Sequence, residues 1–130
     1  MSLVTGKELL IEAKKNNYAV GAFNFTSLEQ LKSIISAAKE LNTGCFLSTS
    51  ESAISFLGIK NIVSMVKNEV SDLPIKFVLH LDHGKSFEIC KDCIEAGYTS
   101  VMLDGSLLEI SENIKLTKKV VDFAHKFNVS

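Results

Sequence analysis

Short apolar runs alternate with amphipathic segments along this whole chain, and that alternation limits the available folds more than any other feature. Four runs have strand length: Ala19-Val20-Gly21-Ala22-Phe23-Asn24-Phe25, Cys45-Phe46-Leu47-Ser48-Thr49, Ile75-Lys76-Phe77-Val78-Leu79 and Ser100-Val101-Met102-Leu103. The segments between them carry helix signals. Thr5-Gly6-Lys7-Glu8 is a capping-box pattern that opens a helix to about Asn16, ahead of the first strand. Ser27-Leu28-Glu29-Gln30 opens a second, with Leu31, Ile34, Ile35 and Ala38 on one face. A short helical or irregular piece spans Glu51 to Phe56, and Gly58 precedes a helix bearing Ile62, Val63, Met65, Val66 and Val70. Ser86 caps a helix that runs to Ala96 and stops at Gly97. Ser111 starts the last helix, with Ile114, Thr117, Val120, Val121 and Ala124 on a face. Continuously apolar strands separated by helices are the signature of a parallel sheet covered by its crossovers. The expectation is an α/β chain of four βα units preceded by one helix. Pro74 stands just before the third strand, where proline is tolerated. No linker composition interrupts the pattern, so residues 1–130 read as one unit without an internal boundary.

Charge and cysteine usage narrow the function classes. The 130 residues carry a formal net charge of -1, with Lys and Asp/Glu interleaved. Bulk electrostatics therefore point to neither nucleic acid nor an anionic membrane surface. No apolar run is long enough to span a bilayer, and Met1-Ser2-Leu3-Val4-Thr5 lacks the basic and apolar regions of a signal peptide. A cytoplasmic protein is expected. Cys45, Cys90 and Cys93 make no disulfide framework. Cys90 falls inside a helix rather than at its N-terminus, so Cys90-x-x-Cys93 reads as buried helix-face thiols, not as a redox pair.

The polar residues at the strand ends carry the chemistry. The run His80-Leu81-Asp82-His83-Gly84 sets a carboxylate beside an imidazole where the third strand stops. Asn24, Ser50 and Asp104 stand at the ends of the other three strands. Such residues also serve as helix caps and turn formers. In a (β/α) barrel, however, strand ends converge on one mouth, and all four delivering a polar group is what a binding site there requires. Neighbouring strand residues face opposite ways, so Asp82 and His83 can act together only if the chain turns between them, and Gly84 makes a turn plausible. His80 reads as a hydrogen-bonded core histidine, and His125 as a cation at a helix C-terminus. Phosphate-loop and dinucleotide glycine fingerprints are missing.

Gly21-Ala22-Phe23-Asn24, Ser50, His80-Leu81-Asp82-His83-Gly84 and Val101-Met102-Leu103-Asp104-Gly105-Ser106 follow one another in an order that resembles the class II, metal-dependent fructose/tagatose-bisphosphate aldolases. The resemblance extends through Glu112-Asn113-Ile114, Thr117-Lys118, Val120-Val121 and Ala124-His125. It implies a TIM barrel that cleaves a ketose bisphosphate to dihydroxyacetone phosphate and an aldehyde, with Zn2+ as cofactor and a phosphorylated sugar as substrate. By position it makes His83 a zinc ligand and Asp82 the acid/base at the C4 hydroxyl. Asn24 and Ser50 become substrate-positioning residues. Asp104 becomes a carboxylate near the metal, ligating a second ion or supporting the first. A whole TIM barrel takes about 250 residues, so this chain supplies roughly half and matches one zinc ligand of about three. The expectation is the front half of a longer aldolase. The rival is a truncated, non-catalytic half-barrel acting as an interaction or accessory subunit, and a third reading is a phosphosugar barrel with other chemistry. Exposed sheet edges make homo-oligomerisation expected in either of the first two.

Overall fold

A computed structural model describes residues 2–130. Its elements run α1 (Gly6–Asn16), β1 (Ala22–Asn24), α2 (Leu28–Glu40), β2 (Cys45–Thr49), α3 (Glu51–Leu57), α4 (Ile59–Val70), β3 (Phe77–Gly84), α5 (Phe87–Ala96), β4 (Ser100–Leu103) and α6 (Ile110–Lys126). The four strands form one sheet in the order β1-β2-β3-β4, parallel throughout. This is the arrangement that βα repeats produce when each crossover returns the chain to the next position.

Local chemistry sets the element ends. Thr5, Ser27, Ser50 and Ser86 each accept a hydrogen bond from the backbone amide three residues ahead, closing the N-termini of α1, α2, α3 and α5. Gln30 departs from the expected box, because its side chain accepts from the Thr26 amide and hydroxyl. Asn17 and Asn42 follow α1 and α2 in the left-handed conformation, the place glycine usually takes. Gly97 takes that place after α5 with φ 114°, and its amide donates to the Cys93 and Ile94 carbonyls.

The two faces of the sheet differ. Cys45, Leu47, Phe77, Leu79 and Leu81 point to the helical side, against Leu31 and Ile35 of α2, Ile62 and Val66 of α4 and Cys90 and Cys93 of α5. That cluster is the main core. Phe46 and Val78 point the other way and pack on Val4 and Leu9, so α1 closes only the lower end of the inner face. Helices on one face and an inner face closed from below are barrel geometry, not a doubly wound sheet.

Two strand boundaries differ from the sequence pattern. The first strand spans only Ala22–Asn24, and all three residues are exposed, not buried. It is an edge strand, with β2 on one side only. The third strand begins at Phe77 rather than Ile75, and it runs through the polar motif to its end at Gly84. Ladder bonds are satisfied by backbone, so polar side chains do not end a strand whose neighbours continue. At the far edge, the Ser130 amide donates to the Thr99 carbonyl (3.3 Å) and its carbonyl accepts from the Val101 amide (2.8 Å). The chain after α6 thus lies parallel beside β4.

Candidate active site

Strand register sorts the inner face into levels. Ala22, Phe46 and Val78 are register partners, an apolar row at the bottom. One step further, Asn24, Ser48, His80 and Ser100 are partners across all four strands. His80 shares a 2.9 Å hydrogen bond with the Ser100 hydroxyl, and its ring meets Phe46 edge-on at 5.6 Å. Burial disfavours its imidazolium and pulls its pKa down, against the pull of Asp82. His80 is therefore a neutral, hydrogen-bonded inner-face residue, as its sequence context implies.

Asp82 lies one further step along the same face, and the Asn24 side-chain amide donates to its Oδ2 at 3.0 Å. Strict alternation would send His83 to the helical side. It does not go there, because His83 has a φ of 54°, the left-handed region that non-glycine residues seldom occupy. The register of β3 against β4 shifts between Leu81 and Gly84 at the same point, and Gly84 becomes the partner of Leu103. The turn between Asp82 and His83 therefore sits at His83 itself. It swings the ring to the end of β4, where Nδ1–H donates to Asp104 Oδ2 at 2.9 Å while Nε2 lies 3.8 Å from Asp82 Oδ1. A strained backbone at a polar strand end is the kind of outlier that points to function.

Asp104 is anchored in turn. Its Oδ1 accepts from the Ser106 amide at 3.0 Å, and its own amide donates to the Gly84 carbonyl at 2.7 Å. The Asn113 side chain donates to the Gly105 carbonyl and accepts from the Thr117 hydroxyl. Ser106 and then His83 hold the Asp104 carboxyl well below the usual carboxylate range. The Asp104 bond, with Asp82 adding to it, pulls the His83 pKa up. Sequence reasoning missed Ser106 and Asn113 as supports. An Asp-Gly-Ser turn followed by a helix-borne Asn was the available signal.

Four of the predicted residues therefore come together as two hydrogen-bonded pairs, Asn24 with Asp82 and His83 with Asp104. Ser50 does not join them. Its hydroxyl caps α3 and contacts Ser52 Oγ at 2.9 Å. Among the described residues, no group of three or more His, Cys, Asp or Glu side chains could hold a metal ion. The donor chemistry fits one metal ligand. The carboxylate on Nδ1 fixes the ring and its tautomer and leaves Nε2 as the donor atom for a metal, the support that ligating histidines usually receive. His125 sits in the last turn of α6, beside a cleft lined by Thr5, Lys7 and Asn128. The three cysteines are free and buried, and burial pushes their thiols up to about 11 for Cys45 and Cys90 and about 12 for Cys93, so none is a ready nucleophile.

The family described as fructose-bisphosphate aldolase class-II matches residues 4–130. The fructose-bisphosphate aldolase of Helicobacter pylori is 48% identical over 129 residues, covering 98% of this chain and 42% of that protein. Its counterpart from Staphylococcus aureus Mu50 is 47% identical over 133 residues, covering 100% and 46%. The chain spans about half the length of these relatives. Among solved structures, the YdjI aldolase of Escherichia coli K12 superposes with a TM-score of 0.91 at 28% identity, over 98% of this chain and 50% of that one. The four-stranded sheet and its helices are thus the corresponding portion of a TIM barrel.

Proposed function

Because this chain belongs to the class II fructose-bisphosphate aldolase family, we propose that it forms the proton-handling half of a zinc-dependent barrel for ketose 1,6-bisphosphates. The reaction is the reversible aldol cleavage of fructose or tagatose bisphosphate to dihydroxyacetone phosphate and glyceraldehyde 3-phosphate. The single observation that carries the reading is the left-handed backbone at His83, which lets two neighbouring residues work at one strand end.

In this reading Asp82 removes the proton from the C4 hydroxyl as the carbon–carbon bond breaks, and returns it in the condensation direction. Asn24 holds one carboxylate oxygen of Asp82, which leaves the other for the substrate proton. Asn24 and Ser50 position the sugar from the rims of β1 and β2. His83 offers Nε2 to zinc, and Asp104 keeps the ring turned and its proton on Nδ1. Zinc, when bound, polarises the substrate carbonyl as a Lewis acid. A catalytic zinc takes about three protein ligands, so the others come from outside these 130 residues. The substrate is a phosphorylated sugar and the compartment the cytoplasm. No helix among the described residues is long and apolar enough to cross a membrane.

Two substitutions in the full-length protein test the division of labour. Asp82→Asn keeps bound zinc and lowers turnover by about 10²–10⁴-fold, the worth of a positioned base. His83→Ala loses the zinc. Loss of zinc in Asp82→Asn together with retained zinc and activity in His83→Ala refutes the assignment. The accessory-subunit reading draws on the lack of a three-ligand cluster among the described residues. Stoichiometric zinc per chain in the purified assembly excludes it.

A further inference from the structure

The turn that carries His83 is held from a third side by a residue outside the strand-end motifs. Glu51 opens α3, directly after Ser50, and its Oε1 accepts from the Lys85 backbone amide at 2.5 Å. Lys85 is two residues past His83 and immediately precedes Ser86, the cap of α5. The other supports of this turn come from Asp104, directly after β4: its amide on the Gly84 carbonyl and its carboxylate on the His83 ring. Among the described residues, no other hydrogen bond reaches the turn from the β2 side. A left-handed residue persists only where its surroundings over-determine it, and Glu51 supplies the missing side.

We propose that Glu51 is a positioning residue that clamps the Lys85 amide and thereby holds the left-handed His83 turn with its imidazole on Asp104. It acts through the Lys85 backbone amide that its carboxylate accepts from. The aldolase reading gives the clamp its purpose, and the clamp itself is testable without metal or substrate. The competing role is electrostatic, since an acidic residue in the first turn of a helix is favourable through its charge alone. Glutamine separates the two, because it keeps the acceptor oxygen and loses the charge.

The test uses the 15N-labelled full-length protein and its Glu51→Gln and Glu51→Ala variants. Hydrogen exchange is read at Lys85 and at the α3 amides, and the His83 Nδ1–H signal is read by NMR. In Glu51→Ala the Lys85 amide should exchange on the order of tenfold faster, as loss of a charge-assisted bond implies. The His83 Nδ1–H signal should broaden or vanish while the α3 amides stay protected. Glu51→Gln should retain the His83 signal and most of the Lys85 protection. The proposal is overturned if alanine leaves Lys85 and His83 unchanged, if glutamine and alanine lose both equally, or if α3 protection falls in step with Lys85. Failure of the aldolase reading instead appears in zinc content and product release, and leaves these signals untouched.

Discussion

Gly84→Ala tests how closely the fold couples to the site. A Cβ at this position would meet Leu81 Cδ2 at 2.6 Å, the Met102 carbonyl oxygen at 3.1 Å and Cys90 Sγ at 3.2 Å, all inside ordinary contact. Leu81 and Cys90 are fully buried, so neither side chain can retreat into solvent. Met102 O belongs to β4, which is laddered to β3. Overpacking of this kind costs about 1–3 kcal/mol, which lowers the melting temperature by roughly 3–10 °C in a chain of this size. Adding Leu81→Val removes the nearest atom. It costs about 1 kcal/mol alone, yet it should recover about 1 kcal/mol in the double variant as a coupling energy. The remainder comes from the β4 carbonyl and Cys90 Sγ and is not recovered. The Gly84 carbonyl binds the Asp104 amide, so any shift of Gly84 should also disturb the His83 signal. Thermal unfolding by circular dichroism and one NMR spectrum per variant suffice. A Gly84→Ala chain that melts within about 1 °C of the parent with an unchanged His83 signal, against the several degrees expected, refutes the reasoning.

Tyr98→Phe leaves the buried Thr49 hydroxyl without its 2.7 Å partner and should destabilise by about 1–3 kcal/mol. Tyr98→Phe with Thr49→Val should be less destabilised than the single change, and equal denaturation midpoints would contradict this. In an NMR pH titration His83 should titrate above the ordinary imidazole range and His80 below it. The stabilisation from the His83–Asp104 pair is present below the unfolded imidazole pKa and fades as pH rises through the raised folded value. Asp104→Asn should bring the His83 midpoint down, and an unmoved midpoint would sink the pairing argument. Native Cys45, Cys90 and Cys93 should resist Ellman's reagent at pH 8, because their thiols are buried and pushed up to about 11 or 12. Labelling of any one of them as fast as in the denatured chain would show an opening that the fold does not have.

Sequence alone determined the order of strands and main helices, the helix starts at Thr5, Ser27 and Ser86, and the parallel sheet, because caps and hydrophobic periodicity are local physics. It also singled out Asn24, Asp82, His83 and Asp104, since polar residues at apolar strand ends are conspicuous in one dimension. Which of them touch was decided only by tertiary structure. The Asn24–Asp82 bond spans 58 residues and the His83–Asp104 bond 21; both depend on strand register, and the second also on the left-handed backbone of His83. Only the structure gave the Ser50 hydroxyl to a helix cap and left β1 exposed as an edge. Glu51 was invisible for the same reason. Its partner is a backbone amide 34 residues away, and a backbone amide has no signature in a sequence.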